Sequence, residues 1–479
     1  MKKILFAASE GNPFIKTGGL ADVVGALPKY LDSGKFDVRI ILPKYMCISW
    51  HETQKLSRVT EFYADMPRGR EYIGIEKVKV EGITYYFLDN EHYFAGDSPY
   101  NQIFQDVNKF AFFSRAVLAC LPKIKFCPDI IHCHDWQAAL IPVFLKEFYE
   151  NDKYYRKIKT ILTIHNQKFQ GRWRIDDIEN CRDLPADCRY KAMEAYHETN
   201  FLKAGILYAD RVTTVSETYA QEIQSPAGGE GLDGVMRQAS AKLSGIVNGI
   251  DNEDYDPMTD ELLPASFGIK SIAGKKKNKK ALQRELGLKQ DNSAMLIGIV
   301  SRLTEQKGFA LVNEIMEEML NTMNVQVAIL GTGEERFQDS FRYFGWKYAD
   351  RVSATIGYRE DRAHKIYGGA DAFLMPSQFE PCGLSQLISM RYGTIPIVRE
   401  TGGLKDTVEA YNEIWQTGTG FSFANYDAGE MLMIIRYAWD VFANHPKEWR
   451  MMMKRCMKAD HSWRCSAGKY EELYQGLLG

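Results

Sequence analysis

Short apolar runs alternate with stretches of helical period from one end of the chain to the other. In the first half, strands are predicted at 4–8, 38–42, 84–88, 130–133, 160–164 and 212–215. In the second half they are predicted at 295–300, 325–330, 370–375 and 395–398. The runs are continuous in Ile, Val and Leu rather than alternating with polar residues. That pattern predicts parallel strands buried on both faces, with helices as the connections. Leu20, Val23, Val24 and Leu27 share one helical face, as do Val312, Ile315, Met316 and Met319, and both stripes are assigned to core packing. The scheme is an α/β fold of two doubly wound domains. Ligands in such sheets sit outside the carboxyl ends of the strands, so two domains face to face would enclose a deep cleft.

A turn-rich stretch at Asn248-Gly-Ile-Asp-Asn252, ahead of Pro257, marks the junction. The expected division is therefore 1–249, 250–458 and a terminal segment 459–479, of which 463–478 reads as a helix. The run Lys275-Lys-Lys-Asn-Lys-Lys280 is assigned to a solvated helix start rather than to a nucleic-acid patch.

Two glycine-containing turns stand out against this background. Lys16-Thr-Gly-Gly-Leu20 and Pro376-Ser-Gln-Phe-Glu-Pro-Cys-Gly-Leu-Ser385 each follow an apolar strand and precede a helix. Free backbone N–H groups at such a turn favour an anion. Gly18 and Gly19 allow close approach of backbone to a ligand. Between the turns in sequence lie Arg302, with a planar fork suited to phosphate, and Lys307, a compact charge. Together with Lys16, in loops expected to face solvent, they suggest a phosphate clamp supplied by both halves, complete only when the halves close on the ligand. The bland alternative for Arg302 and Lys307 is an ion pair with Glu305. Glu380 fits either a site carboxylate or the first-turn acid of the helix expected to open at Cys382-Gly383-Leu384.

His132-Cys-His-Asp135 invites a metal reading. In an extended strand, however, His132 and His134 share one face and Cys133 and Asp135 the other, and no further pair completes a set of ligands. No metal is expected. The chain has 479 residues, 45% apolar and 25% charged, and a formal net charge of −2, which argues against a nucleic acid or an anionic membrane as partner. Nine cysteines without a Cys-x-x-Cys pair indicate neither a zinc ribbon nor a disulfide framework. The apolar stretch after Met1 is too short for a signal peptide and too soon followed by Glu10, Lys16 and Asp22. A cytoplasmic location is expected.

The ordered set Lys16-Thr-Gly-Gly-Leu-Ala-Asp22, His134-Asp-Trp136, His165-Asn166, Val247-Asn-Gly-Ile-Asp251, Ser301-Arg-Leu-Thr-Glu-Gln-Lys-Gly308, Phe379-Glu-Pro-Cys-Gly-Leu384 and Thr401-Gly-Gly-Leu404 resembles bacterial glycogen synthases and plant starch synthases over essentially the whole chain. The resemblance implies two Rossmann-like domains of the GT-B type and a retaining glucosyl transfer from ADP-glucose to the non-reducing end of an α-1,4-glucan such as glycogen. It implies that the terminal helix crosses back to the first domain. It assigns Glu380, His165, Arg302 and Lys307 to catalysis. Lys16, Gly18, Gly19, Asp22, Cys382, Gly383 and Leu384 go to the donor, with Tyr358 beside the adenine. Asp135, Asn166 and Tyr100 go to the acceptor. Related retaining transferases carry a second glutamate where this chain has Ile388, and Gln167-Lys-Phe-Gln170 departs from the family's usual Leu-Ala-Tyr-Gln.

Alternatives from other classes stay open at this point. A UDP-glucose donor is one, and a non-catalytic glucan-binding protein of the same fold is another. An NAD-dependent dehydrogenase would share the sheet, but no Gly-x-Gly-x-x-Gly follows the first strand; Gly331-Thr-Gly333 is a partial match in the second half.

Overall fold

A computed structural model describes residues 1–479 as two compact units, Met1–Ile246 together with Trp463–Gly479, and Val247–Ser462. The chain thus passes from one unit to the other between Ile246 and Val247, and its last helix, Trp463–Leu478, belongs to the first unit.

In the first unit the strands are β1 (Lys2–Ala7), β2 (Phe36–Pro43), β3 (Ser57–Met66), β4 (Gly69–Val80), β5 (Ile83–Asp89), β6 (Ile130–His134), β7 (Lys159–Ile164), β8 (Arg172–Trp173), β9 (Glu194–Ala195), β10 (Glu198–Asn200), β11 (Arg211–Thr214) and β12 (Leu243–Gly245). Nine of these form one sheet in the order β12-β11-β7-β6-β1-β2-β5-β4-β3, and β8, β10 and β9 form a small separate one. The chain winds outward from β1 in one direction through β2 and β5, and in the other through β6, β7 and β11. The switch point therefore falls between β1 and β6, which pair in parallel.

The second unit contains β13 (Met295–Val300), β14 (Val325–Gly331), β15 (Val352–Ile356), β16 (Ala372–Met375), β17 (Ile395–Arg399) and β18 (Phe421–Phe423), in the order β15-β14-β13-β16-β17-β18. All its pairs are parallel, and its switch point falls between β13 and β16.

Each apolar run predicted from the sequence is a strand of one of the two large sheets. The expectation of purely parallel sheets fails at one edge. There β4 pairs antiparallel with both β5 and β3. Most of this hairpin's side chains are half-buried or exposed, so it lacks the continuous apolar signature of a strand covered on both faces.

The basic run is a second correction. It lies inside the helix Ala273–Glu285, and Lys275, Asn278 and Lys279 are buried. Lys275 Nζ donates to the carbonyl oxygens of Tyr392 (2.9 Å), Tyr367 and Gly368 (both 3.2 Å) and to Thr394 Oγ1 (2.6 Å). Lys279 Nζ meets Asp371 Oδ2 and the Ala294 carbonyl, each at 2.6 Å, at the entry to β13 and β16. These amino groups gather backbone oxygens left over at the C-terminal turns of the helices Glu360–Gly369 and Ser385–Arg391 and ahead of β13, which is why they are inside. Lys275→Met should lower stability by on the order of 3 kcal/mol, because it strands several buried acceptors. Lys277→Met, at an exposed position of the same helix, should leave stability nearly unchanged. Chemical denaturation of both variants checks the contrast.

Candidate active site

In the second unit three loops leave the carboxyl ends of neighbouring strands and knit together. The loop after β13 carries Arg302 and Lys307 and ends at Gly308, whose φ of 78° is left-handed; a Cβ there would stand 2.0 Å from the Pro376 carbonyl oxygen. The loop after β16 is thus laid directly on the loop after β13. Gln378 N–H donates to the Gln306 carbonyl (2.8 Å), and Gln306 Nε2 to that of Phe379 (3.3 Å). The loop after β17 reaches Gly402, φ 45°, where a Cβ would lie 2.0 Å from the Glu380 carbonyl oxygen, and Gly403 N–H donates to that oxygen at 3.1 Å.

Glu380 sits where these loops meet, 6% exposed. Its Oε2 accepts from Lys307 Nζ at 2.5 Å and from Ser377 Oγ at 3.0 Å. The reading of Glu380 as a helix cap or first-turn acid does not survive. The helix that follows is Ser385–Arg391, with Leu384 at its N-cap, so Glu380 stands five residues before it in an irregular turn. Cys382, Gly383 and Leu384 form that turn instead of opening the helix. Gln386 Nε2 holds it through the Cys382 and Gly383 carbonyls (3.0 and 3.1 Å). Burial pushes the Cys382 thiol up to about 12, so it is neutral and not a nucleophile.

Arg302 is exposed, and its guanidinium has no hydrogen-bond or ion-pair partner. Lys307, in contrast, is only 16% exposed along its side chain, which corrects the expectation that it sits in a solvent-facing loop. Neither pairs with Glu305, which is taken by Arg336. Tyr358 follows Gly357 beyond β15 and is 70% exposed.

In the first unit the loop after β1 folds back on itself. Gly11 and Ile15 form a small bridge, and Phe14 is buried against Tyr85 and Phe87 at ring distances of 5.1 and 4.9 Å. The loop then delivers Lys16, Gly18 and Gly19 to the start of the helix Gly19–Tyr30. Lys16 Nζ pairs with Asp22 Oδ1 at 2.7 Å, and Asn12 Nδ2 donates to the same oxygen at 2.7 Å. Lys16 remains half exposed.

Across the switch point, β6 and β7 end in a cluster of histidines. His132 and His134 stack at 4.4 Å on the same side of β6, as strand alternation predicts. The alternation then breaks. Asp135 has φ 55°, leaves the strand and begins a short helix, so it is not on the Cys133 face. Its Oδ1 accepts from the His165 N–H at 2.6 Å. Burial pushes the Asp135 carboxyl up to about 7, against the pull of the His165 and Asn166 N–H donors. His134 Nδ1 and His165 Nε2 are 3.0 Å apart. Burial pushes His165 down to about 3, so it is a neutral imidazole that donates or accepts a hydrogen bond without acting as a strong acid. His132 bonds Tyr474 of the last helix (2.8 Å) and Thr163 (2.6 Å). Asn166 Oδ1 closes its own turn by accepting from Lys168 N–H at 3.1 Å.

Tyr100 lies half-buried before the helix Ile103–Cys120, and its hydroxyl is shared by Ser9 Oγ (2.8 Å) and the Glu10 carboxylate. Glu10, Ser377 and Asn12 are polar groups that sequence reasoning missed. For Glu10 the available signal was a charged residue directly after a buried apolar strand. No group of three or more His, Cys, Asp or Glu side chains is arranged to hold a metal ion, and no helix is long and apolar enough to cross a membrane.

Comparison with known proteins covers the full length of the chain. Residues 3–238 match the model of the starch synthase catalytic domain, and residues 278–440 that of glycosyl transferases group 1. The chain is 56% identical to the glycogen synthase of Lachnospira eligens, covering all of both chains. It is 47% identical to that of Anoxybacillus flavithermus, covering 99% of this chain and 98% of the other. Among solved structures it resembles the catalytic domain of starch synthase IV from Arabidopsis thaliana bound to ADP and acarbose, with TM-score 0.90, 33% identity, and coverage of 100% and 99%. A likeness to sucrose-phosphate synthase from Thermosynechococcus elongatus, with TM-score 0.63 and 16% identity, concerns the fold alone. Full-length identity at this level, carried by two Rossmann-like domains, makes the chain a glycosyltransferase belonging to the glycogen synthase family.

Proposed function

We propose that the protein transfers glucose from ADP-glucose to the non-reducing 4-hydroxyl of an α-1,4-glucan, with retention of configuration. The observation that carries the reading is Glu380, a buried carboxylate fixed by Lys307 and Ser377 at the switch point of the second sheet, with the exposed Arg302 on the same loop as Lys307. Bond breaking at the anomeric carbon leaves negative charge on the diphosphate and positive charge on the sugar. Arg302 and Lys307 answer the first, and Glu380 the second. In the first unit, Lys16 stands on the turn that precedes the helix Gly19–Tyr30. Gly18 has an extended φ of −161°, and a Cβ at Gly18 or Gly19 would meet nothing within 4 Å. Nothing inside the protein calls for glycine at these two positions, so a ligand lying against the backbone is the better reason.

In the reaction the bond from C1 to the phosphate oxygen breaks, and a bond from C1 to the acceptor oxygen forms on the same face. The acceptor's proton passes to the departing phosphate oxygen. His165, neutral, holds a sugar hydroxyl, while Asp135, Asn166 and Tyr100 line the acceptor side. Tyr358, exposed beyond β15, stacks on the adenine. ADP in the Arabidopsis neighbour supports the choice of base.

Glucosyl incorporation into glycogen, measured with ADP-glucose and UDP-glucose in parallel, tests the reading. Faster transfer from ADP-glucose is expected. Faster transfer from UDP-glucose overturns the donor assignment, and binding of glucan without turnover on either makes the protein a glucan-binding one.

The cationic side chains are expected to stand in for a metal at the diphosphate. Transfer should continue after dialysis into excess EDTA. An absolute requirement for an added divalent ion would refute this and direct attention to Asp135 and Glu380 as ligands.

A further inference from the structure

Glu10 is a carboxylate buried to 3% exposure three residues beyond the end of β1, with no cation paired to it. Neutral donors surround it instead. One oxygen accepts from the Thr17 main-chain N–H; the other accepts from the Thr17 hydroxyl (2.7 Å) and the Tyr100 hydroxyl. Charge-assisted hydrogen bonds of this kind are roughly twice as strong as neutral ones. Their arrangement has a mechanical consequence. The first half of the 11–18 loop is already anchored: Phe14 is buried, Tyr85 Oη donates to the Asn12 carbonyl at 3.1 Å, and Asn12 N–H donates to the Ala21 carbonyl at 3.1 Å. The second half, which presents Lys16 and the two open glycines, is tied back to Glu10 at Thr17, through both its N–H and its hydroxyl.

We propose that Glu10 is a positioning residue for glucosyl transfer, clamping Thr17 so that the flanking Lys16 and Gly18-Gly19 are held in place for the nucleotide-sugar. This rests on the reading of that turn as part of the donor site. Tyr100 is the far side of the same clamp, so Glu10 also joins the donor turn to the segment expected to meet the acceptor. Because the hydrogen bonds of the buried carboxylate go to Thr17 and Tyr100, it acts on the reaction through the loop it holds.

The test compares Glu10→Ala, Glu10→Gln, Tyr100→Phe and Lys16→Ala by transfer kinetics and by amide hydrogen exchange of the peptide spanning 11–19. Glu10→Ala should expose the Thr17 amide to exchange and lower kcat by about a hundredfold, the scale of an ångström-level misplacement. Glu10→Gln keeps an acceptor for the Thr17 N–H, while both hydroxyls can rotate to accept from its amide group, so it should recover most of the rate and the protection. Tyr100→Phe, the milder change if Glu10→Ala does not fold, should loosen the same peptide and give an intermediate rate. Wild-type turnover in Glu10→Ala, with Lys16→Ala impaired, overturns the clamp alone. Wild-type turnover in Lys16→Ala overturns the donor-site reading and the clamp with it. A Glu10→Gln variant as slow as Glu10→Ala but with Thr17 protected also overturns positioning, since the charge itself would then be at work.

Discussion

Glu380→Gln is expected to keep its fold and its affinity for ADP while transferring glucose about a hundred to a thousand times more slowly. The substitution changes almost no volume and retains an oxygen that Lys307 Nζ and Ser377 Oγ can donate to. What it removes is negative charge, in a place that is 6% exposed and therefore weakly screened. A charge-stabilising group of this kind is worth about 2.7–4 kcal/mol of transition-state stabilisation. The weakened bond to Lys307 should cost about 1.5–3 kcal/mol of stability, the range for hydrogen bonds to charged groups. A capping role would have given the opposite balance, but the following helix begins only at Ser385. Melting temperature, ADP binding by calorimetry and transfer rate on one preparation separate the contributions. If Glu380→Gln keeps most of its transfer rate, Glu380 serves only as the structural counter-ion of Lys307.

The chain's periodicity made the parallel sheets legible because strands covered on both faces must be apolar throughout, as β13 and β14 are. The β3–β4 hairpin was not legible for the same reason, since most of its residues are half-buried or exposed and carry no such constraint. Lys275 and Lys279 read as surface because lysine usually is. Their burial depends on carbonyl oxygens up to 117 positions away, which no local pattern reveals. The site divides along the same line. Arg302, Lys307 and Glu380 belong to motifs with a chemical meaning, and the structure brings Lys307 and Glu380 into contact. It does not bring Arg302 to either. Glu10 carried no motif of its own. Its partner Tyr100 is 90 positions distant, and the link exists only because β1 and the helix Ile103–Cys120 share one core.

Removing the two cations of the β13 loop should separate binding from folding, because one of them has a partner and the other does not. Arg302→Ala deletes an unpartnered guanidinium and should leave stability within about 0.5 kcal/mol of wild type. Its transfer rate should fall by roughly ten- to a hundredfold, one charge-assisted phosphate contact being worth about 1.5–3 kcal/mol. Arg302→Lys should recover little, since an ammonium lacks the planar fork. Lys307→Ala removes the same kind of contact but also leaves the Glu380 carboxylate buried without its cation, at a cost of about 3–5 kcal/mol of stability. The double variant Lys307→Ala with Glu380→Gln removes both charges, so it should regain much of that stability. Its transfer rate should stay at or below that of Lys307→Ala, because the groups that answer the developing charges have both gone. Denaturation midpoints and transfer rates for wild type, Lys307→Ala, Glu380→Gln and the double variant give the cycle, with the Arg302 variants measured beside them. Recovery of turnover together with stability in the double variant would show that Lys307 matters only as a structural partner of Glu380. Near-normal turnover in Arg302→Ala combined with Lys307→Ala would remove the diphosphate from this loop altogether.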